Sequence, residues 1–177
     1  MHPSLKHPVN KSSIRLESLL SPTMEQWLGL FNDKRVRKHM PLASESVDAN
    51  WVEKWIKHKL EESENSPFKV KSIWVNENFA GWAAIQKDGT DYELAIVMNP
   101  SHWGAGIYVF QRLIQEFHDS KILGNLFVYL PFSRNSKNIG KKFPVREAGS
   151  IEINGIEFSK LQIDVGGEGF EPPTSSV

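Results

Sequence analysis

The chain reads as a mixed α/β domain with a central, mostly antiparallel sheet. Three observations predict it. Strand-like runs flank turn signals at Asn76-Glu77-Asn78, Asp88-Gly89 and Asn154-Gly155, which is the pattern of hairpins. Apolar residues at helical spacing come before the first of these hairpins, so helices cover the sheet. After the third strand, Met98 leads through a short loop with two glycines directly into another amphipathic helix.

Each element follows from its own residues. Ile14-Arg15-Leu16 is a short first strand. Ser21-Pro22 has the chemistry of an N-cap and first helical residue, and Met24, Trp27, Leu28 and Phe31 follow at helical spacing. A second helix from about Val47 to Leu60 sets Trp51, Val52, Trp55 and Ile56 on a buried stripe, with Lys54, Lys57 and Lys59 outside it. Glu61 to Pro67 is polar and reads as a loop. Phe68 to Val75, Phe79 to Gln86 and Tyr92 to Met98 are three strands in series. Ile107, Phe110, Leu113, Ile114 and Phe117 form the apolar face of the helix beyond the glycines. Leu126 to Leu130 is a further strand and Ser136 to Lys142 a short helix. Ser150 to Ile153 and Ile156 to Ile163 close the chain as a hairpin.

The 177 residues suffice for one domain with a real core. We expect it over 13–165, with a flexible N-terminal tail at 1–12 and a disordered, Gly- and Pro-rich tail at 166–177. Lys+Arg and Asp+Glu both number 21, so no global field favours nucleic acid or an anionic membrane. There is no cysteine, which excludes disulfides, Cys–zinc sites and a thiol nucleophile. The first residues lack the apolar run of a signal peptide, and no stretch approaches the roughly 18 apolar residues of a membrane span. A soluble, cytoplasmic protein is expected.

The loop Ser101-His102-Trp103-Gly104-Ala105-Gly106 carries the strongest functional signal. Glycine takes backbone angles that a side chain forbids and lets a ligand approach the main chain. The helix that follows presents unpaired N–H groups and the positive end of its dipole. Together these make a backbone anion site suited to a pyrophosphate. No Gly-Lys-Ser/Thr follows, so a nucleoside-triphosphate loop is excluded. Hairpins precede the loop where a dinucleotide fold needs a parallel βαβ unit.

The order strand, two helices, three antiparallel strands, helix, strand, helix, hairpin resembles the GNAT (GCN5-related) N-acetyltransferases. Glu93 to Met98 followed by Pro100 to Gly106 is similar to the strand and Trp-Gly-x-Gly loop of the branch that acetylates ribosomal-protein N-termini. Tyr129-Leu130-Pro131-Phe132-Ser133, then Ser136, Ile139 and Lys142-Phe143-Pro144-Val145, stand against that family's other segment. The resemblance spans about residues 14 to 163. It implies a GNAT-like fold and acetyl-CoA as co-substrate, held by Ile96, Val97, Met98, Ser101, His102, Trp103, Gly104, Ala105, Gly106, Ile107, Ser133 and Ser136. It departs at Ser133, where the family has Asn, at Pro144-Val145, where it has Gly-Phe, and at Gly140, where several members have an acid tyrosine.

The implied reaction is acetyl transfer to a primary amine by direct attack in a ternary complex. An amine of pKa about 10.4 is neutral in only roughly one molecule in two thousand at pH 7, so a base helps. The resemblance places Glu93 beside the cofactor as that base. Read by itself, Glu93 is equally a solvated strand residue. A backbone N–H near Met98 would hold the oxyanion if the strands splay there, and a thiol of pKa near 8.5 leaves without an acid. His102 is either a phosphate contact or a solvent-facing residue, Trp103 a packing residue under the loop, and Tyr129 a pocket wall or ordinary packing. Lys137, Lys141 and Lys142 are a solvated face or a phosphate contact. His39, His58 and His118 lack metal-ligand spacing. The acceptor is a small amine or a protein N-terminus, and a second copy of the chain is a compatible partner. Two rivals stay open: a degenerate fold that binds CoA without turnover, and a cofactor-free protein-interaction module.

Overall fold

Hairpin turns set the sheet order in the computed structural model, which describes residues 13–40, 42, 44–132 and 137–165, with the backbone alone at 137 and 138. The tails expected at 1–12 and 166–177, and the candidate residues Ser133 and Ser136, lie outside the described residues. β1 (Ile14–Ser18), β2 (Lys71–Val75), β3 (Asn78–Asp88) and β4 (Asp91–Met98) pair antiparallel in sequence. β5 (Leu126–Pro131) joins β4 in parallel, and β6 (Val145–Ile153) and β7 (Ile156–Ile163) complete the order β1-β2-β3-β4-β5-β7-β6. Asn76 and Glu77 take φ of 47° and 66°, and Asn154 and Gly155 take 49° and 77°. Two-residue hairpins demand these left-handed angles because they match strand twist.

Helices cover both faces. α1 (Met24–Asn32), α2 (Lys34–Arg37) and α3 (Ala49–Glu64) lie on one side, and α4 (Gly106–Ser120) on the other. α5 (Lys137–Gly140) precedes β6. The cap of α1 is Thr23, not Ser21. Its Oγ1 accepts from Gln26 N at 3.2 Å while Gln26 Oε1 accepts from Thr23 N at 2.9 Å, a reciprocal box of about 1 kcal/mol. α3 starts after Asp48, whose side chain accepts from Trp51 N, and it runs four residues past the expected end at Leu60. On α3 only Val52 of the expected stripe is fully buried. Trp51, Trp55 and Ile56 are half-buried against the same core. α2 was not anticipated; Asp33 caps it through Arg35 N.

Two apolar cores result, one per face. Beneath α4, Val109, Phe110, Leu113, Ile114 and Phe117 meet Ile73, Ile85, Leu94, Leu126 and Leu161. Beneath α1–α3, tryptophans dominate: Trp27 lies within 5.6 Å of Phe31 and 5.3 Å of Trp55, centroid to centroid, and Trp82 sits 5.2 Å from Trp55. Each fully buried large side chain contributes about 1.5–3 kcal/mol. β4 serves both cores by strand alternation, with Leu94, Ile96 and Met98 toward α4 and Ala95 and Val97 toward α3.

Candidate active site

β4 is paired differently along its two edges. On the β3 side the register is continuous from Gly81↔Met98 to Asp88↔Asp91. On the β5 side it covers only Tyr92↔Leu126, Glu93↔Phe127 and Leu94↔Val128. Beyond Leu94 and Val128 the two strands part. Main-chain groups alternate sides along a strand. Asn99 N donates to Ala80 O at 2.7 Å on the β3 side, and Tyr92 N donates to Asn125 O at 2.9 Å on the β5 side. By that alternation the N–H groups of Ile96 and Met98 point into the opening. The expected splay near Met98 is present.

Gly81 holds the closed edge. Its φ is +152°, and a Cβ there would stand 2.0 Å from Val97 O. Only glycine lets β3 come so close to the end of β4.

The glycine loop lies at the open end. Pro100–Ala105 forms a 3₁₀ turn, with Asn99 Oδ1 accepting from Ser101 N at 3.1 Å and Ser101 Oγ at 2.7 Å. Neither Gly104 nor Gly106 uses a positive φ, contrary to one of the two reasons expected for them. Gly106 has φ −57° and ψ −33°. The other reason, ligand approach, needs open space over the backbone, and there is some: a Cβ on Gly104 would meet nothing within 4 Å, and one on Gly106 would touch only Met98 Sδ at 3.4 Å. The loop face is bare backbone. Ala105, at the N-cap of α4, supplies no side-chain acceptor to the first turn. Trp103 does not pack beneath the loop as expected. It is 42% exposed, and its Nε1 donates to Met98 O at 3.0 Å. Burial holds the pKa of His102 below the ordinary imidazole value.

Glu93 sits at the closed end, on the α3 side. It is half-buried and faces Gln86 across the β3–β4 register. Burial raises its pKa above the ordinary 4.5, the Asp88 charge raises it further, and Lys59 opposes both. Lys59, expected on the solvated face of α3, is only 15% exposed; it reaches Gln86 Oε1 and, at 2.8 Å, Glu62. Tyr129 OH donates to Asp88 Oδ2 at 2.8 Å. Burial first, then that hydrogen bond and the Asp88 charge, raise the phenol's pKa far above 10. Tyr129 is thus a wall and a donor, and a poor acid.

A cavity of about 480 Å³ joins the two ends through the opening. Glu93, Gln86, Lys59 and Tyr129 line one end, and Met98, Trp103, Gly106 and Ile107 the other. Of the remaining expected residues, Ile96 and Val97 also line it, whereas Ser101, His102, Gly104 and Ala105 do not. Phe110 and Phe143, with centroids 4.5 Å apart, wall the α4 side. Gln86 was readable in advance, since a two-residue turn after Asp88 puts it opposite Glu93. Lys59 and Phe110 carry no such signal. Among the described residues no group of three His, Cys, Asp or Glu converges as a metal site, and no helix is long and apolar enough to cross a membrane.

The same arrangement of strands and helices occurs in solved acetyltransferases. A spermidine N-acetyltransferase from Vibrio cholerae, in complex with CoA and spermine, superposes with a TM-score of 0.67 at 14% identity, over 86% of this chain and 95% of that one. A protein from Bordetella pertussis assigned to the GnaT-family acetyltransferases gives 0.68 at 12% identity, over 88% and 98%. The chain has the GNAT acetyltransferase fold. A ribosomal L7/L12 alpha-N-protein acetyltransferase in complex with coenzyme A shares this GNAT fold at a TM-score of 0.67 and 12% identity, over 88% and 94%. No protein-family model and no curated protein sequence matches the chain.

Proposed function

We propose that this GNAT-fold protein is a cytoplasmic N-acetyltransferase that moves an acetyl group from acetyl-CoA to a primary amine. One observation carries the reading: a single cavity runs from the bare glycine loop, through the gap between β4 and β5, to a carboxylate on the opposite face. Two substrates that must meet need such a passage. An interaction module does not. The names of the structural neighbours, a spermidine and a ribosomal-protein N-acetyltransferase, support the same chemistry.

Acetyl-CoA supplies an acyl group on a thioester. The residues that would hold it are Ile96, Val97, Met98, Ser101, His102, Trp103, Gly104, Ala105, Gly106 and Ile107. The bare loop and the uncapped start of α4 would take up phosphate oxygens. Ile96 and Met98 N–H, unclaimed by β5, would donate to a pantetheine amide or to the oxygen that gains charge during transfer. Glu93 would take the amine proton, directly or through a water. A carboxylate with a raised pKa suits that role, since its basicity lies closer to working pH. The family resemblance implies an acid tyrosine of several members at Gly140, and a thiolate whose thiol has a pKa near 8.5 leaves without one.

Calorimetry with acetyl-CoA tests the reading. Binding to the folded state alone should add about 2.7 kcal/mol of stability at 100 times the dissociation constant. No heat and no thermal shift at millimolar acetyl-CoA would remove the acetyltransferase reading.

A further inference from the structure

The acceptor end of the cavity has an unusual charge balance. Among the described residues, Glu93 is the sole carboxylate that lines it, and Lys59 contributes a cation beside it. The nearby Asp88 lies outside the lining and is engaged by Tyr129 OH. Beyond Glu93 the α3-side wall includes Val36, His39, Met40, Leu42, Trp55 and Trp82, with no further carboxylate among the described residues. One ammonium can lie against Glu93. A second would sit among indole, imidazole and aliphatic groups without a carboxylate partner, and an unpaired charge in such surroundings is strongly penalised.

We infer, on the acetyltransferase reading, that the acceptor is a monocationic amine attached to an apolar body of about ring size, and that linear di- and polyamines are rejected. The amine lies at Glu93 and the body against Trp55 and Trp82. Both rings present faces and edges that accept flat or aliphatic groups. The next carboxylate, Glu62, lies outside the lining and is engaged by Lys59 at 2.8 Å, so this ion pair offers no partner to a second ammonium. The reaction balances simply. The bound ammonium first gives a proton to Glu93. The neutral nitrogen then forms a bond to the acyl carbon as the carbon–sulfur bond breaks. Coenzyme A leaves as its thiolate, and the second N–H proton passes to that thiolate or to solvent.

The test compares matched amines. Thiol release from acetyl-CoA is followed with hexylamine, 1,6-diaminohexane, phenethylamine and spermidine. Binding of each is read in parallel from tryptophan fluorescence, which does not require turnover. Hexylamine and phenethylamine should exceed the diamine and spermidine by about tenfold or more in kcat/KM and in affinity, the range a pocket commands through one mismatched group. Lys59→Glu, which adds a carboxylate, should narrow the gap between hexylamine and 1,6-diaminohexane. Equal or better binding or turnover of spermidine overturns the inference, and so does the lack of any fluorescence response to the monoamines. In both cases acetyl-CoA binding by calorimetry shows whether the acetyltransferase reading itself survives.

Discussion

β4 has one edge built to stay closed and one built to stay open. Toward β3, eight register pairs run without interruption from Gly81↔Met98 to Asp88↔Asp91. Toward β5, pairing stops after three. The closed edge is a local hairpin whose turn sets the register. The open edge is a parallel contact made after a helix and a loop, so nothing local extends it. The contrast teaches that the opening depends on the closed side: β4 can leave the N–H groups of Ile96 and Met98 without a β5 partner because β3 holds it from behind.

The largest expected effect comes from breaking the closed edge. Gly81→Val puts a β-branched side chain where even a Cβ would stand 2.0 Å from Val97 O. Strain and clash together should cost about 3 kcal/mol or more, read as a collapse of the thermal transition. If this variant melts with the parent, Gly81 is not what pins β4.

On the open edge, chemistry should fail while the fold survives. Glu93→Gln should slow acetyl transfer roughly 10²–10⁴-fold, with acetyl-CoA affinity unchanged in calorimetry. A parental rate at pH 7 would leave Glu93 structural. Gly104→Val should weaken acetyl-CoA about 10–100-fold by blocking charge-assisted bonds to the loop, with an unchanged melt, because its Cβ enters open space. Gly106→Val should do the same with some loss of stability, since Met98 Sδ must move. Unchanged affinity in both would put the phosphates elsewhere.

Smaller shifts concern pH. On the acetyltransferase reading Glu93 would work as the carboxylate, so the rate should fall as pH drops through its raised pKa. Lys59→Met should move that acidic limb upward and Asp88→Asn downward, following the opposed effects of the two charges. A limb unmoved by either would belong to another group. Folding raises the pKa of Glu93, so its contribution to stability is full below the unfolded value and is lost as pH rises through the folded one. Glu93→Gln should therefore raise Tm slightly at pH 7 and not at pH 4. A lower Tm at pH 7 would mean that the charge supports the fold.

Local chemistry was legible in the sequence, and long-range geometry was not. The Asn76 and Asn154 turns and the apolar face of α4 follow from residue type and spacing. The spacing ends α3 too early because the apolar stripe stops at Leu60, while charged pairs such as Lys57–Glu61 and Lys59–Glu62 carry the helix one more turn. At the site, Glu93 and the glycine loop stood out because one strand joins them. Spacing alone puts Lys59 in solvent, since the pattern on α3 cannot show that β3 passes beneath it. The splay between β4 and β5 joins segments more than thirty residues apart, and nothing in either strand alone announces it.

The alternation along β4 has an isotopic consequence. In deuterated water the amides of Val97 and Asn99, which face β3, should retain their protons until that seam opens. Those of Ile96 and Met98, one residue away, should exchange early. A single strand would then show a two-residue rhythm of slow and fast amides over 96–99, fading toward Tyr92, where both edges are paired. Ligand in the opening should silence the fast members and leave the slow ones as they were, which would trace the occupied side of β4 amide by amide.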